Sequence, residues 1–387
     1  MRKVLQILPE LDLINGGVER GTLDVAKELI DKGFGSAIIS SGGVMADKYK
    51  YKGVSHDVID IKRKNFTNFF FLRSKFQKLI NTIKPDLVHI RSRWPAFCFN
   101  SVVKRNNIPL VTTYHGTYNG NNFFLKRNYN KVMTDGETVI TISKFIDDHV
   151  RYYFPDVKPK LCQIDRGIDC NYFDINSVTQ IRKENILRSL SITEKTHIIL
   201  LPARISRWKG HLVAIDAVKK IIENRPELNF VLLLVGGLNK ADFSNKLKKV
   251  IKKNDLEGRV VFAGNITDMP AVYSISDIIL STSIEPEAFG RVSAEGCAMS
   301  KPVIASKHGG SKEIIENNKT GWLVEPGSSE ELSKKIIQVL ELKQEDKDLI
   351  GNNGRRRVKK KFSLQLMLDK TLNVYEELID RKKSSNY

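Results

Sequence analysis

The sequence has few cysteines and no long apolar run. Its four cysteines form no Cys-x-x-Cys pair and show no zinc-ligand spacing, a usage typical of a reduced, cytosolic protein without disulfides. Apolar stretches such as Phe230–Val235 are far shorter than the about 18–20 residues needed to cross a bilayer. The N-terminal apolar run stops at Pro9 and meets Glu10 at once. We therefore expect neither a spanning helix nor a secretory signal.

Several catalytic motifs are also missing. There is no His-Glu-x-x-His and no cluster of Cys and His, and the one Asp-x-Asp lies in a charged, helix-like stretch at 346–348. This pattern predicts that no metal ion is required. Gly-x-Gly-x-x-Gly, the P-loop motif and the Gly-x-Ser-x-Gly elbow are absent as well. Their absence argues against a dinucleotide cofactor, a P-loop NTPase and a serine nucleophile.

Acidic residues are fewer than basic ones: the chain has 44 Asp and Glu and 63 Lys and Arg, which gives a net charge of +19. Residues 1–170 hold 27 basic and 17 acidic residues and the remainder holds 36 and 27, so both halves are basic, unlike a nucleic-acid-binding tail. The basic run Arg355–Lys361 is expected between two helices, as a solvated face. The composition favours an anionic substrate or an anionic membrane face, and we expect no nucleic-acid partner.

Short apolar runs alternate with longer amphipathic segments along the chain. The predicted strands of the first half are Lys3–Leu8, Ser36–Ser40, Asp86–Ile90, Leu110–Thr113, Thr138–Ile142 and Leu161–Ile164. Those of the second half are His197–Leu201, Phe230–Val235, Val260–Ala263, Asp277–Ser281 and Pro302–Ser306. This alternation predicts parallel sheets built from βαβ units. Two such series predict two doubly wound α/β domains, at residues 1–175 and 176–361, followed by a helix from residue 362.

Ligands of open α/β sheets bind at the carboxyl ends of the strands, so we expect an active site in a cleft between the two domains. One candidate loop is 203–210, where Arg204 and Lys209 could stabilise a departing diphosphate. Ordinary surface bases are the alternative for these two residues.

A second candidate is the pair Glu287 and Glu295. If the whole segment were helical, side chains eight residues apart would diverge by about 80° around the axis. We therefore place Glu287 in a loop and Glu295 in the opening turns of the next helix. Both carboxylates could then accept hydrogen bonds from the hydroxyls of one ligand; a solvated acidic pair is the alternative.

Paired glycines follow two further strands, as Asn15-Gly16-Gly17 and as Gly309-Gly310. Backbone without side chains can approach a ligand closely, and the amides of the following helix could hold a phosphate. A tight turn is the alternative. His115 follows another strand and could be catalytic there, although a lone histidine is more often structural.

Taken together, these segments resemble the retaining, GT-B-fold glycosyltransferases of family 4. The matching segments cover most of the chain and are Gly16–Glu19, Tyr114–Gly116, Ile142–Lys144, Arg166–Asp169, Arg204 with Lys209-Gly210, Pro286–Glu295, Pro302–Ala305 and Gly309-Gly310. The Glu-x₇-Glu signature is the most specific of them. The resemblance implies two Rossmann-like domains facing a cleft. The first domain would bind the acceptor, with the terminal helix 362–387 packing back on it, and 176–361 would bind a nucleotide sugar.

The resemblance also implies the reaction. A sugar would pass with retention from a nucleotide-diphosphate donor, such as a UDP-sugar, to a glycan or lipid-linked acceptor of lipopolysaccharide or capsule. No cofactor, metal or protein nucleophile would be required, because charge stabilisation of the departing diphosphate supplies most of the catalysis.

Individual roles follow from the same resemblance. Arg204 and Lys209 would bind the diphosphate, Glu295 the ribose hydroxyls and Glu287 the transferred sugar, with His115 beside the reacting carbon. Further donor contacts would come from Gly16, Gly17, Asn265, Ile266, Phe289, Gly290, Gly309 and Gly310. Arg91 and Arg93 stand where many relatives have a histidine. They are candidates for an anionic acceptor, with surface bases as the default.

The segments Lys62–Phe66 and Phe69–Arg73 place bases beside aromatic residues. This suits peripheral attachment to the inner, cytoplasmic face of an anionic membrane, but a helix that buries its phenylalanines is an equal alternative. Two other functions compete with the main one. A nucleotide-sugar epimerase or a sugar-phosphate synthase of the same fold is the first, and analysis of products from the donor alone separates the epimerase. A non-catalytic nucleic-acid binder is the second, and the even charge split speaks against it.

Overall fold

The structure is a computed structural model that describes residues 1–12, 16–48, 52–64, 67–118, 120–157, 160–237 and 241–384. The chain forms two compact units, one of Met1–Asp165 with Gln365–Tyr387 and one of Arg166–Leu364. Within the second unit the Ile168 N–H donates to the Phe362 carbonyl, 2.8 Å away.

The strands and helices are given in chain order. The strands are β1 Lys3–Ile7, β2 Gly35–Ser40, β3 Val54–Val58, β4 Leu87–Ile90, β5 Leu110–Tyr114, β6 Thr138–Thr141, β7 Lys160–Gln163, β8 His197–Pro202, β9 Phe230–Val235, β10 Val260–Gly264, β11 Ile278–Ser281, β12 Val303–Ser306 and β13 Trp322–Val324. The helices are α1 Gly17–Asp31, α2 Val44–Lys48, α3 Phe69–Ile83, α4 Arg93–Arg105, α5 Phe124–Lys131, α6 Lys144–Tyr153, α7 Gln180–Ser189, α8 His211–Asn224, α9 Ala241–Lys253, α10 Met269–Ser274, α11 Arg291–Ala298, α12 Ser311–Ile314, α13 Ser329–Glu341, α14 Gln344–Lys361 and α15 Leu364–Ser384.

Each unit contains one parallel sheet. The first has the strand order β3-β2-β1-β4-β5-β6-β7 and the second β10-β9-β8-β11-β12-β13. Central strands such as β9 are buried along their whole length, as expected when helices cover both faces of a parallel sheet. The strand order reverses between β1 and β4 and between β8 and β11. At such switch points the following loops part and leave room for a ligand.

The predicted two Rossmann-like α/β domains are confirmed, and all the predicted strands are present, with ends that shift by a residue or so. The sequence analysis missed β3 and β13, which are both edge strands. Most of β3 is partly exposed, so it lacks a continuous apolar run. β13 has only three residues, too few to show a period.

The basic run Arg355–Lys361 was wrongly placed between helices, because it forms the end of α14. Nor is it wholly solvated. The Arg355 side chain is 12% exposed and pairs with Asp174 at 2.7 Å, and Arg357 Nε donates to the Ile314 carbonyl. Among the described helices, none combines the length and the apolar character needed to cross a bilayer.

Candidate active site

The loop after β8 carries the two predicted phosphate ligands in different environments. Arg204 is exposed, whereas Lys209 ends a short 3₁₀ turn, Arg207–Lys209. Gly210 follows with a φ of 75°, and a Cβ atom there would lie 1.8 Å from the Thr282 carbonyl oxygen. Only glycine allows this loop to contact the loop after β11 so closely. The contact places Lys209 next to Glu287.

Lys209 and Glu287 form a largely buried ion pair. The Lys209 Nζ lies 2.8 Å from Glu287 Oε1, and the two side chains are 13% and 12% exposed. Ser283 Oγ donates to the same carboxylate oxygen at 2.5 Å, and the Trp208 ring lies 4.1 Å below the ammonium group. The pair is therefore held in one geometry by neighbours on both sides.

The predicted donor-binding glycines bring two loops together. Gly309 has a φ of 56°, and a Cβ atom there would lie 2.5 Å from the Glu287 carbonyl oxygen; one on Gly310 would lie 2.2 Å from that of Phe289. Gly290 has a φ of 94°. The Gly310 amide donates to the Glu287 carbonyl at 2.8 Å. This amide is therefore occupied, and a phosphate would have to use its neighbours.

Glu295 lies in the second turn of α11 and Glu287 lies in the preceding loop, as predicted from their spacing. Glu295 is 7% exposed. Tyr273 Oη donates to its Oε2 at 2.8 Å and Arg291 Nε to its Oε1 at 2.6 Å. Burial first, and then the Glu295 charge, raises the pKa of Tyr273 well above its usual value. The phenol thus remains a donor that orients the carboxylate.

Sequence reasoning missed Tyr273, which belongs to none of the recognised motifs, and it did not single out His308, which directly precedes the pair Gly309-Gly310. The His308 Nε2 lies 2.8 Å from the Ser283 carbonyl, and its buried Nδ1 has no hydrogen-bond partner in the described part of the chain. The available signal was a histidine just past the end of a strand, directly before a pair of glycines.

Asn265 and Ile266 follow β10, whose last residue Gly264 has a φ of 65°. Asn265 is exposed and Ile266 is half-buried. A Cβ atom on Gly237 would lie 3.2 Å from Asn265 Oδ1, and the Ile205 N–H donates to the Gly237 carbonyl at 3.1 Å. The loops after β8, β9 and β10 are therefore neighbours at the carboxyl edge of the second sheet.

In the first unit, Gly17 opens α1 and Gly16 is its N-cap, with no side-chain cap; Asn15 lies outside the described residues. His115 follows β5 directly and is half-buried. Both positions lie at the carboxyl edge of the first sheet, where the sequence analysis expected them.

The expectation of a surface base is wrong for Arg91, which is 6% exposed. Its Nε and Nη2 donate to the Gln6 side-chain oxygen at 3.0 and 2.7 Å, and no carboxylate of the described residues pairs with it. Arg93 is half-buried, donates to Asn130 Oδ1 at 2.7 Å and lies 4.1 Å from the Tyr118 ring. An acceptor role for either arginine stays a prediction.

Arg91 adjoins a buried histidine that the sequence analysis did not single out. His89 Nδ1 lies 2.5 Å from Tyr375 Oη of α15, and Nε2 lies 2.6 Å from Thr113 Oγ1. Burial, followed by the nearby Arg91 and His115, lowers the pKa of His89 well below its usual value. A neutral His89 thus joins the terminal helix to β4 and β5. The described residues contain no group of three or more His, Cys, Asp or Glu arranged to hold a metal ion.

Two family models match the chain in tandem: Glycosyltransferase Family 4 over residues 15–172 and Glycosyl transferases group 1 over residues 182–357. A crystal structure of a glycosyltransferase from Rickettsia africae ESF-5 is 37% identical, covers 98% of each chain and has a TM-score of 0.88. HepE of Anabaena in complex with UDP and glucose is 21% identical over 97% of this chain and 100% of its own, with a TM-score of 0.82. WaaG, a glycosyltransferase involved in lipopolysaccharide biosynthesis, is 16% identical over 96% and 99%, with a TM-score of 0.75.

Proposed function

The chain belongs to the group 1 and family 4 glycosyltransferases, which have the GT-B fold, and we propose that it transfers a sugar with retention from a UDP-sugar to a glycan or lipid-linked acceptor. The acceptor belongs to cell-envelope polysaccharide or lipopolysaccharide, and the enzyme works at the cytoplasmic face of the membrane. The observation that carries the proposal is the pair of buried, hydrogen-bonded glutamates at one sheet edge, with Lys209 bound to the first. The UDP and glucose bound by HepE and the pathway of WaaG support the donor and the acceptor class.

The residues of the second unit divide the work on the donor. Lys209 and Arg204 neutralise the charge that develops on the departing diphosphate, where fixed cations in a partly dry site are most effective. Glu295 accepts hydrogen bonds from the ribose hydroxyls, with Tyr273 and Arg291 fixing its orientation. Glu287 accepts from hydroxyls of the transferred sugar. No divalent ion takes part, because protein cations supply the positive charge.

The first unit supplies His115 beside the reacting carbon and the amides of Gly16 and Gly17 for the phosphates. No protein nucleophile is needed if the acceptor attacks the face that the nucleotide leaves. Gly309 also holds the Glu287 loop, since the Glu287 backbone leaves no room there for a side chain, and Gly290 allows a close approach to Ser311.

A donor screen tests this function. UDP and UDP-sugars should raise the melting temperature of the protein. The Glu295→Gln variant should need about ten times more UDP for the same rise, because a charged hydrogen-bond acceptor is lost. Asp242→Asn, a change to an acidic residue in the first turn of α9, is the matched control. Stabilisation by no nucleotide sugar would contradict the proposal.

Product analysis tests the rest. The anomeric configuration of the product should equal that of the donor, and chelators should leave turnover unchanged. Inversion would contradict retention, and loss of turnover with EDTA would contradict the absence of a metal. Conversion of the donor without any acceptor into another nucleotide sugar would favour the epimerase.

A further inference from the structure

The positive charge of this chain is concentrated in one stretch. Residues 61–134 contain fourteen lysines and arginines and a single acidic residue, Asp86. The charges of the two halves do not show this concentration, because residues 1–60 and 135–170 of the first half are together slightly acidic. The stretch builds α3, α4, α5, β4 and β5, all in the first unit.

The same stretch exposes large apolar side chains at the starts of two helices. α3 buries Leu72, Phe76, Ile80 and Ile83, but Phe70 and Phe71 are 80% and 67% exposed. The expectation of a helix that buries its phenylalanines is therefore wrong for these two. A second cluster, Phe123, Phe124 and Leu125 at the start of α5, is 66%, 76% and 80% exposed. Single exposed apolar residues are ordinary, but two such clusters indicate an interaction surface.

Ring contacts connect α3 with α5 across α4. The Phe69 ring lies 5.6 Å from that of Phe97 in α4, which in turn lies 5.8 Å from Tyr129 in α5. Arg93, the first residue of α4, donates to Asn130 of α5. α4 begins just after β4, so this surface lies at the carboxyl edge of the first sheet. His115 lies at the same edge.

Cations accompany the aromatic side chains. Arg73 lies 5.0 Å from the Phe69 ring, Lys126 5.6 Å from Phe123 and Lys64 5.5 Å from Tyr129. None of these three pairs with a carboxylate of the described residues. Lys62 differs, since it pairs with Glu10 and with Asp12 at 3.1 Å. Residues 65 and 66, at the end of the segment Lys62–Phe66, lie outside the described part of the chain.

We propose that this surface, made of the starts of α3 and α5 with their lysines and arginines, docks on an anionic lipid bilayer. The phenylalanines and Leu125 enter the interfacial region while the bases meet lipid phosphates, and the two contributions together give stable binding. A bilayer fits better than a nucleic acid, because Leu125 cannot stack on a base whereas hydrocarbon suits all five exposed side chains. If the proposed function holds, docking brings a lipid-linked acceptor to the edge that carries His115.

Co-sedimentation with vesicles tests the docking surface. Wild type should bind vesicles rich in phosphatidylglycerol, bind pure phosphatidylcholine weakly, and dissociate as salt rises. Phe123→Ser/Phe124→Ser/Leu125→Ser should lower the partition coefficient at least about tenfold, because three apolar anchors are lost. Ile181→Ser in α7 of the second unit, where the side chain is 68% exposed, should leave it unchanged.

A charge reversal separates the electrostatic part. Lys126→Glu/Lys131→Glu in α5 should weaken binding to anionic vesicles by about tenfold or more. Lys252→Glu/Lys253→Glu, an equal reversal at the exposed end of α9, should have little effect. Circular dichroism melting confirms that each variant is folded.

Three outcomes overturn the proposal: no vesicle binding, equal binding to neutral and anionic vesicles, or single-stranded RNA that displaces the vesicles. The rise in melting temperature with UDP, measured on the same proteins, tests donor binding independently of vesicle binding. If the protein does not bind vesicles but UDP still raises its melting temperature, only the proposed docking surface is contradicted. Vesicle binding without a UDP shift contradicts the proposed function alone.

Discussion

The carboxyl edges of the two sheets use charge in opposite ways. In the second unit the glutamates are paired, as Lys209 with Glu287 and Arg291 with Glu295. In the first unit the buried Arg91 binds the neutral Gln6, and the surrounding surface is basic with almost no acid. Paired charges on tightly packed loops fix one geometry for one defined ligand. Unpaired charge instead attracts anionic partners over a distance that salt controls.

The strongest test of this contrast is Lys209→Met. Glu287 would remain buried without its cation, so we expect the free energy of unfolding to fall by about 3 kcal/mol and sugar-transfer turnover to fall about a hundredfold. Denaturant titration and kcat measure the two effects. Lys252→Met is the exposed control, and Lys209→Met/Glu287→Gln should recover stability without recovering turnover. Unchanged stability in the single variant would show that the pair is not effectively buried.

The corresponding test in the first unit is Tyr375→Phe. It removes the hydroxyl group that faces His89 Nδ1 and leaves a buried ring nitrogen unsatisfied, which should cost about 2 kcal/mol of unfolding free energy. Tyr152→Phe, at a side chain that is 77% exposed, should cost nothing measurable. Equal melting temperatures for the two variants would mean that the contact between α15 and β4 does not contribute to stability.

Arg204→Ala sharpens the comparison inside the second unit. Because Arg204 is exposed and has no partner in the described residues, the unfolding free energy should stay within about 0.5 kcal/mol of wild type. Turnover should still fall at least about tenfold, since a cation near the leaving diphosphate is lost. Lys252→Ala is the control. Near-normal turnover would remove Arg204 from the phosphate site.

Both units should also lose stability in mild acid, because each contains a buried histidine. Burial lowers the pKa of His211 to about 4 and lowers that of His89 as well. The unfolded chain takes up protons below its histidine pKa of about 6.5 while the folded chain does not, so stability falls as pH drops from there towards the folded values. From its folded pKa of about 4, His211 should contribute about 1.4 kcal/mol of loss by pH 5.5, and His89 should change stability in the same direction. His211→Gln should reduce this pH slope, as measured by denaturation at pH 7.5 and 5.5; an unchanged slope would show that His211 is protonated in the fold.

The interior of the fold and the placement of Glu287 and Glu295 could be predicted from the sequence. Continuous apolar runs mark strands that are buried on both faces, and helix geometry fixes where a glutamate eight residues on can lie. The edge strands β3 and β13 escaped because partial exposure or short length removes that pattern. Tyr273 escaped because its contact with Glu295 joins two different helices. Arg91 was misjudged because no local feature distinguishes a buried arginine from a surface one.

By itself, the sequence determined two parallel-sheet units and the loops that carry their polar residues, since period and strand-end position are local properties of the chain. Only the tertiary structure decided which charges are paired, which are buried and which aromatic side chains stay exposed. Those properties arise where atoms from distant segments of the chain come within a few ångströms of one another. The free-energy cost of burying a charged or aromatic side chain depends on these spatial neighbours rather than on its neighbours along the chain.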